Sequence, residues 1–450
     1  MTRTVDINPV IDQAAIRLIH IQVLAINILV ALVDGFDNQA LAFTAPAIAA
    51  DWGISIVSFA PAFSSGLAGM MFGSLMFGEI ADRLGRRFVF VWATALFGCV
   101  TLITPMAETV TQLLVLRFVA GLGLGGLPTV MASLVSEYAP KNRRATFGNW
   151  AFIGIPGGGF LGGLLASYLI PNFGWQSVYW LGGASALCVA AVAAFAMPES
   201  LAFLLRKKGD QGRARAILSK VAPEHVIERD SVLIAGPDET VKTSIVGVFR
   251  DGRAVMTVLF WISEIILLMG FYFLVNWIPS LLARSGLSMQ TAVLGSAVLN
   301  IGGILFGLFI GRLCDGFGAR RIVSATFLLG AASLFLATHA GGNVAILMSA
   351  IFLAGGAWIA GQSAIVVLIA NNYPTTVRSI AVGWALTVGR IGAIASPAIV
   401  AVPLGWGWEA KDILLLPVLP AIVGSILVHF ARPYGRRKDL PELAVTPGYR

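Results

Sequence analysis

Asp34, Gly35, Phe36, Asp37, Asn38 and Gln39 interrupt the first long apolar run of the chain, which extends from Ile19 to Ala50. A carboxylate in hydrocarbon costs roughly 3 kcal/mol on insertion scales, so acids persist there mainly where they face a polar interior and carry solute, ions or protons. On a helix the i, i+3 spacing puts Asp34 and Asp37 on one face, and Asn38 at i+4 from Asp34 joins them. Gly35 removes a side chain beside this polar stripe, so another helix or a solute can approach the backbone. The pattern points to proton or ion handling; the blander reading is two acids satisfied by cations that only hold helices together.

Two basic residues also fall inside apolar runs, Arg117 and Arg390. Arg117 lies about 9 Å from the outer end of its span and Asp37 about 26 Å along a span of opposite direction, at 1.5 Å per residue. In a bilayer core of about 30 Å these depths are compatible. A pair of Arg117 with Asp37 or with Asp34 would hold the carboxylate ionised until a conformational change separates them, which is the physics of a proton switch. Alternatively Arg117 only anchors a glycine-rich helix. Arg390 lies about 18 Å from the start of its span near Arg378. Its planar fork is suited to both oxygens of a carboxylate solute. The competing reading is that Arg390 and Glu264, near the midplane of another span, neutralise each other.

These side chains must be positioned by membrane helices. The 450 residues are 57% hydrophobic and 12% charged, with mean hydropathy +0.83, against roughly a quarter charged in soluble domains. Stretches long enough to cross a bilayer fall near 20–47, 57–79, 88–107, 111–134, 146–170 and 176–197, then near 254–282, 289–311, 322–340, 343–371, 379–403 and 412–430. The expected fold is all-α and integral to the membrane, with twelve transmembrane helices in two bundles of six. The expected division is a first bundle over 1–197, a cytoplasmic connector over 198–253, and a second bundle with a cytoplasmic tail over 254–450. Leu201–Lys208 and Gly212–Val221 read as short helices in the connector.

The net charge of +8 could suggest nucleic acid, but its distribution excludes that. Of 31 Lys and Arg, two fall in outer loops (Arg284, Lys411) and two in spans (Arg117, Arg390), leaving 27 on one side. The positive-inside rule makes that side the cytoplasm and places both termini there. The first 20 residues show no cleavable apolar core, so a retained cytoplasmic N-terminus is expected rather than a signal peptide. Cys99, Cys188 and Cys314 stand singly, with no disulfide or zinc spacing. His20, His225, His339 and His429 sit near span ends or in a loop, without a nucleophile or metal partner. No paired nucleophile and base, metal cluster or phosphate loop is present, so neither an enzyme nor a cofactor is expected.

The chain also repeats itself. Gly78, Asp82 and Gly85 recur as Gly311, Asp315 and Gly318, displaced by 233 residues, each set followed by paired arginines, Arg86-Arg87 and Arg320-Arg321. Tyr138, Pro140, Arg143 and Gly148 answer more loosely to Tyr373, Pro374, Arg378 and Gly383. Repeats in corresponding loops of two six-span halves mark a transporter with its solute site between the halves. In the first copy the glycines suit a tight reversal, Asp82 is placed to cap a helix N-terminus, and Arg83, Arg86 and Arg87 stay at the headgroups. Such a cap would hold one state of a two-state element; the alternative is a topogenic turn only.

Gly78–Arg87 resembles the loop 2–3 signature of the major facilitator superfamily, with a degenerate copy at 311–321, and Arg117-Phe-Val-Ala-Gly121-Leu-Gly123-Leu-Gly125-Gly126 resembles its fourth-helix motif. More narrowly, Asp34-Gly-Phe-Asp37, Ser136-Glu137-Tyr138-Ala139-Pro140, Pro198-Glu199-Ser200, and Tyr373-Pro-Thr-Thr-Val-Arg378 leading to Gly389-Arg390-Ile391-Gly392 resemble the aromatic acid:proton symporter family. Glu79 stands where a small residue or proline is usual, and Asn38-Gln39 where small or hydroxyl residues are. The fifth span, with Pro156-Gly157-Gly158-Gly159, partly resembles a motif of proton-driven exporters, which keeps antiport open.

The resemblance implies a monomeric inner-membrane transporter that takes up benzoates, hydroxybenzoates, protocatechuate or phenylpropionates with protons. Asp34, Asp37 and Arg117 are then the proton-coupling candidates. Arg390 is the carboxylate anchor. Aromatic walls and hydrogen bonds for a hydroxylated ring are sought in Tyr272, Asn276, Trp358, Gln362 and Trp384, with Asn38, Gln39 and Glu264 also at the site. The gating candidates are Gly78, Asp82, Arg83, Gly85, Arg86, Arg87 and Asp315. The alternatives are a transporter of another organic anion and a non-transporting receptor on the same scaffold.

Overall fold

A computed structural model describes residues 4–206, 210–225, 231–234 and 245–431 and has twelve helices long and apolar enough to cross a membrane. The first six are α1 (Leu18–Trp52), α2 (Ala60–Leu84), α3 (Arg86–Ile103), α4 (Val110–Tyr138), α5 (Arg144–Phe173) and α6 (Gln176–Ala196). The second six are α7 (Ala254–Arg284), α8 (Met289–Phe317), α9 (Ala319–Thr338), α10 (Val344–Asn372), α11 (Thr375–Gly405) and α12, which spans Ala410–Phe430 and is interrupted by a turn at 415–417. Below, the end of the bundle where α1 begins and α12 finishes is the terminal side, and the opposite end the far side.

The repeat seen in the sequence is also a repeat of packing. In the first six helices α1 pairs with α5, α2 with α4 and α3 with α6; in the second six α7 pairs with α11, α8 with α10 and α9 with α12. Glycine sets how close these pairs come. A Cβ on Gly35 of α1 would overlap the Ile155 carbonyl of α5, and one on Gly125 of α4 would overlap the Met70 carbonyl of α2. Backbone-to-backbone approach of this kind gives membrane helices dispersion contacts that lipid does not match. Gly85 and Gly318 occupy equivalent turns, each ending one helix and opening the next at φ +105° and +88°, a region open to glycine.

The loop 2–3 signature is more helical than the sequence reading made it. α2 continues past residue 79 to Leu84, supported by the exposed Glu79–Arg83 ion pair at i, i+4. Asp82 therefore sits in the last turn of α2 and caps no N-terminus, correcting that expectation. The side chain that does receive the first turn of α3 is Glu199, whose Oε1 accepts the Arg87 amide at 3.0 Å.

Not every element is helical. β1 (Thr4–Asp6) pairs in parallel with β2 (Val232–Ile234) on the terminal side. The connector helices span Leu201–Arg206, Gln211–Val221 and Val246–Phe249; Lys207 and Lys208, expected to extend the first of these, lie outside the described residues, as does the tail from 432. Ala214, Leu218 and Val221 are buried in one cluster with Ile7, Ile11 and Ala14 and with residues of the first bundle. Asp12–Arg144 at 2.8 Å and Arg17–Glu224 at 3.1 Å add ion pairs between these segments.

Because the obstacle at Gly125 is backbone and cannot rotate away, Gly125→Val is expected to lower the unfolding temperature in detergent by several degrees or more. Gly307→Ala in α8, where a Cβ meets nothing within 4 Å, is expected to leave it within about a degree. Fluorescence-monitored thermal unfolding of the two variants beside wild type checks this.

Candidate functional site

Contacts between the two bundles gather in the far-side part of the helices. Gln39 of α1 and Asn300 of α8 exchange hydrogen bonds at 3.2 and 2.9 Å. Phe63 of α2 packs on Trp277 of α7 with ring centroids 5.5 Å apart, and Ser64 donates to the Ile394 carbonyl of α11 at 2.9 Å. Among the described residues no hydrogen bond, ion pair or ring contact joins the bundles nearer the terminal side than Arg390. A Cβ on Gly78, Gly148, Gly311 or Gly383, on the terminal-side portions of α2, α5, α8 and α11, would meet nothing within 4 Å. The bundles are closed together on the far side and part toward the terminal side.

At the closed end, α1 places Asp37 against Arg117 of α4, Oδ2 to Nη1 at 3.4 Å, with both side chains buried. Sequence depth left two partners open for Arg117; the structure selects Asp37. Thr101 of α3 donates to the other carboxylate oxygen. Arg117 Nη2 donates to Thr104 Oγ1 at 3.0 Å, and the guanidinium lies 5.3 Å over the Tyr179 ring of α6, a cation–π contact. The Tyr179 hydroxyl bonds Thr44 back on α1 at 2.9 Å. The pair is thus seated in a cage from four helices of one bundle. Thr44, Thr101, Thr104 and Tyr179 escaped the sequence reading, since hydroxyls in apolar runs look like ordinary packing until an ion is placed beside them.

Asp34, one turn from Asp37, is buried and has no hydrogen bond or ion pair among the described residues. Asp37, Asn38 and Arg117 line a small cavity with Met70 and Asn276, and the Asn276 Nδ2 is buried without a partner. The cavity measures about 30 Å³, room for about one water and far below the few hundred Å³ of a small-molecule site.

Arg390 joins this layer from α11. Its Nη1 donates to Ser74 Oγ at 2.8 Å and to the Met70 carbonyl at 3.3 Å, both on α2. No acidic partner holds it among the described residues, and its Nε and Nη2 are left without one. Tyr272 bonds the Asn38 side chain and lies within electrostatic range of both Arg390 and Asp34, and its ring stands edge-on to Phe271 at 4.9 Å. A half-buried guanidinium with one free edge, a phenol and an amide therefore meet at the boundary between the bundles.

Glu264 does not neutralise Arg390. It is fully buried, its Oε1 accepts from Gln362 Nε2 at 2.6 Å, and its Oε2 and the Gln362 Oε1 have no partner. Both lie inside the second bundle, where a Cβ on Gly389 would press on Glu264. Trp358 is packed in the same bundle between Gly270 and Gly330, edge-on to Phe327 at 6.1 Å. Trp384 is exposed and stacks on Trp261 at 6.4 Å. Gln39 is committed to Asn300. The structure thus brings Asp37, Asn38, Arg117, Tyr272, Asn276 and Arg390 around one layer, and sets Gln39, Glu264, Trp358, Gln362 and Trp384 apart from it.

The signature loop forms its own cluster on the terminal side. Arg86 pairs with Glu137 at the end of α4, which also accepts from Ser200 at 2.7 Å. Arg87 donates to the Ala194 carbonyl of α6, and the Tyr138 hydroxyl to the Glu199 carbonyl at 2.6 Å. These bonds tie the first bundle to itself and to the start of the connector, and none of them crosses to the second bundle. Asp82 and Asp315 are exposed and make no hydrogen bond among the described residues. Glu137 and Glu199 stood in stretches that the sequence singled out, but nothing there indicated that they meet.

No cluster of three or more potential metal ligands occurs among the described residues. A chain with two packing-equivalent six-helix halves and polar groups at their boundary is comparable with known transporters. It is 35% identical to the 4-hydroxybenzoate transporter PcaK of Pseudomonas aeruginosa over 401 residues, 89% of this chain and 90% of that one. It is 32% identical to the benzoate transport protein of Acinetobacter baylyi over 454 residues, 98% and 95% of the two chains. Among solved structures, the inward open conformation of the xylose transporter XylE from E. coli superposes with TM-score 0.71 at 16% identity, covering 93% of this chain and 98% of that one. The family model described as Major Facilitator Superfamily matches residues 28–442, so the paired bundles and their signature loops have one explanation: the chain belongs to the Major Facilitator Superfamily of membrane transporters.

Proposed function

We propose that the chain imports a small aromatic monocarboxylate together with protons by alternating access, with the terminal side facing the cytoplasm. The observation that carries this reading is Arg390: a cation between the two bundles, without an acidic partner among the described residues, with Nε and Nη2 free and Tyr272 and Asn38 beside it. A guanidinium edge binds both oxygens of a carboxylate, and the phenol and amide supply polar contacts for ring hydroxyls. The relatives named for 4-hydroxybenzoate and benzoate support an aromatic acid.

Asp34 and Asp37 serve as the proton-coupling pair on this reading. Asp37 stays paired with Arg117, whereas Asp34, which has no cation partner among the described residues, is the group that takes up the proton. Protonation favours solute binding, the bundles close over the loaded site, and rocking opens it to the other side. Outer closure rests on Gln39–Asn300, Phe63–Trp277 and Arg390–Ser74, so those contacts break when the far side opens. The division into bodies at 1–197 and 254–450, with the connector 198–253 between them, is part of the proposal; the connector helices Leu201–Arg206 and Gln211–Val221 pack with the first body and Val246–Phe249 with the second.

In proteoliposomes without an imposed gradient, external 4-hydroxybenzoate, protocatechuate, benzoate or a phenylpropionate is expected to produce alkalinisation outside with at least one of them. Acidification would mean antiport, and no proton or label movement with any of the acids would remove the aromatic-acid assignment. Asp37→Asn is expected to abolish accumulation driven by a pH gradient while keeping counterflow exchange of labelled substrate; wild-type accumulation by this variant would sink the coupling role. Arg390→Lys, which keeps the charge and loses the fork, is expected to raise KM about tenfold or more, and Arg390→Gln further, with folding checked by thermal unfolding; an unchanged KM in both would remove the anchor.

A further inference from the structure

On the terminal side, away from the boundary between the bundles, a cavity of about 840 Å³ opens between the ends of α1 and α6 and the connector helix Gln211–Val221. Four cations line it, Arg17, Arg87, Arg213 and Lys220, against the one carboxylate of Glu199. That carboxylate is already engaged by the amides of Arg87 and Ser200 at 3.0 and 2.9 Å. Arg17 shares Glu224 at 3.1 Å. Arg213 approaches Asp210 only to 3.9 Å with both side chains well exposed, a contact that solvent largely screens. Lys220 has no ion pair among the described residues. The connector helix is split by face: Ala214, Leu218 and Val221 are buried against the first bundle, while Arg213 and Lys220, seven residues apart, stand exposed over the cavity.

The remaining wall is apolar and sits at a membrane boundary. Leu18, the first residue of α1, is 78% exposed, and Phe195, next to the last residue of α6, is 90% exposed. Gln22 ties the two helix ends beneath them by donating to the Ala196 carbonyl at 2.5 Å. Clustered cations over apolar side chains at the end of membrane helices match a molecule with an anionic head and hydrocarbon tails. We propose that this cavity binds the phosphate headgroup of an anionic glycerophospholipid, with Arg213 and Lys220 over the phosphate and the acyl chains along Leu18 and Phe195. The bound lipid bridges α1 and α6 to the connector helix, so the connector's position on the first bundle responds to the lipid composition of that leaflet.

The test uses the full-length protein in a neutral maltoside detergent. Apparent affinities for phosphatidylglycerol and for phosphatidylcholine with the same acyl chains are measured by native mass spectrometry, with inorganic phosphate and glycerol 3-phosphate as competitors. Phosphatidylglycerol is expected to bind about tenfold or more tighter than phosphatidylcholine. The double variant Arg213→Gln/Lys220→Gln, both on an exposed face, is expected to lose about tenfold of that affinity. The control Arg312→Gln/Arg321→Gln removes two exposed cations from the same side of the second bundle and is expected to change it less than twofold. Equal loss in the control reduces the effect to general surface charge and overturns the site, as does wild-type affinity in the double variant. Displacement of the lipid by inorganic phosphate or glycerol 3-phosphate at comparable concentration reassigns the cavity to a soluble anion and overturns the lipid.

Discussion

Hydrocarbon gives an ionised side chain no water, so each charge deep in a span has to find a partner, surrender its charge, or face a place where solute or ion will supply the partner. Five such residues lie deep in these twelve helices: Asp34, Asp37, Arg117, Glu264 and Arg390. Only Asp37 and Arg117 pair with each other, and the rest of the first bundle is built around them. Thr101 and Thr104 fill the remaining hydrogen-bonding positions, Tyr179 lies under the guanidinium, and Thr44 ties Tyr179 back to α1. Removing one partner of a buried pair strands the other at about 3–5 kcal/mol. The cage therefore fixes α1, α3, α4 and α6 as one body at the depth where the solute must pass.

The boundary between the bundles combines close packing with few polar bonds. Backbones meet within each bundle at Gly35 and Gly125 and at Gly355 and Gly392, and they meet across the boundary too, where a Cβ on Gly163 of α5 would press on the Ala297 backbone of α8. Across the boundary the polar contacts are a few hydrogen bonds: Gln39–Asn300, Ser64 to Ile394, and Arg390 to Ser74 and Met70. Each is worth only about 0.5–1.5 kcal/mol net. Rigid halves that meet over a packed seam with few polar bonds form a two-state element, and a ligand shifts such an element by its differential affinity for the two states. The loop cluster of Arg86, Glu137, Tyr138, Glu199 and Ser200 adds to the rigidity of the first half and spends nothing on the boundary.

What was legible in the sequence followed from period and cost. Twelve apolar stretches of bilayer length gave the spans, and the repeat of Gly78, Asp82 and Gly85 at Gly311, Asp315 and Gly318 gave the two halves. The intramembrane charges drew attention to Asp37, Arg117 and Arg390 because nothing cheap explains them. Aromatic and amide positions read less well. Trp358 and Gln362 share a helical face at i, i+4, but rotation of α10 turns both into the second bundle, and helical spacing alone does not say which neighbour a face meets. Gln39 follows Asn38 directly, yet one residue of helix is a 100° turn, enough to send Asn38 toward Tyr272 and Gln39 toward Asn300. Asp82 failed as a cap because the helix did not stop where the hydropathy did.

The buried charges also bear on why proton and anion would travel together on the proposed reading. Glu264 is held by Gln362 inside the second bundle, apart from the layer between the halves. Within that layer the empty carrier with both acids ionised sets Asp34 and Asp37 against Arg117 and Arg390, which balance. A monoanion on Arg390 leaves one negative charge in excess, and a proton on Asp34 alone leaves one positive charge. Either excess would have to be carried through a layer closed to water as the halves rock. Anion and proton together restore the balance. Only the empty and doubly loaded carriers cross without an unpaired charge, so coupling follows from the same electrostatic constraint that built the Asp37–Arg117 cage and requires no direct contact between proton and solute.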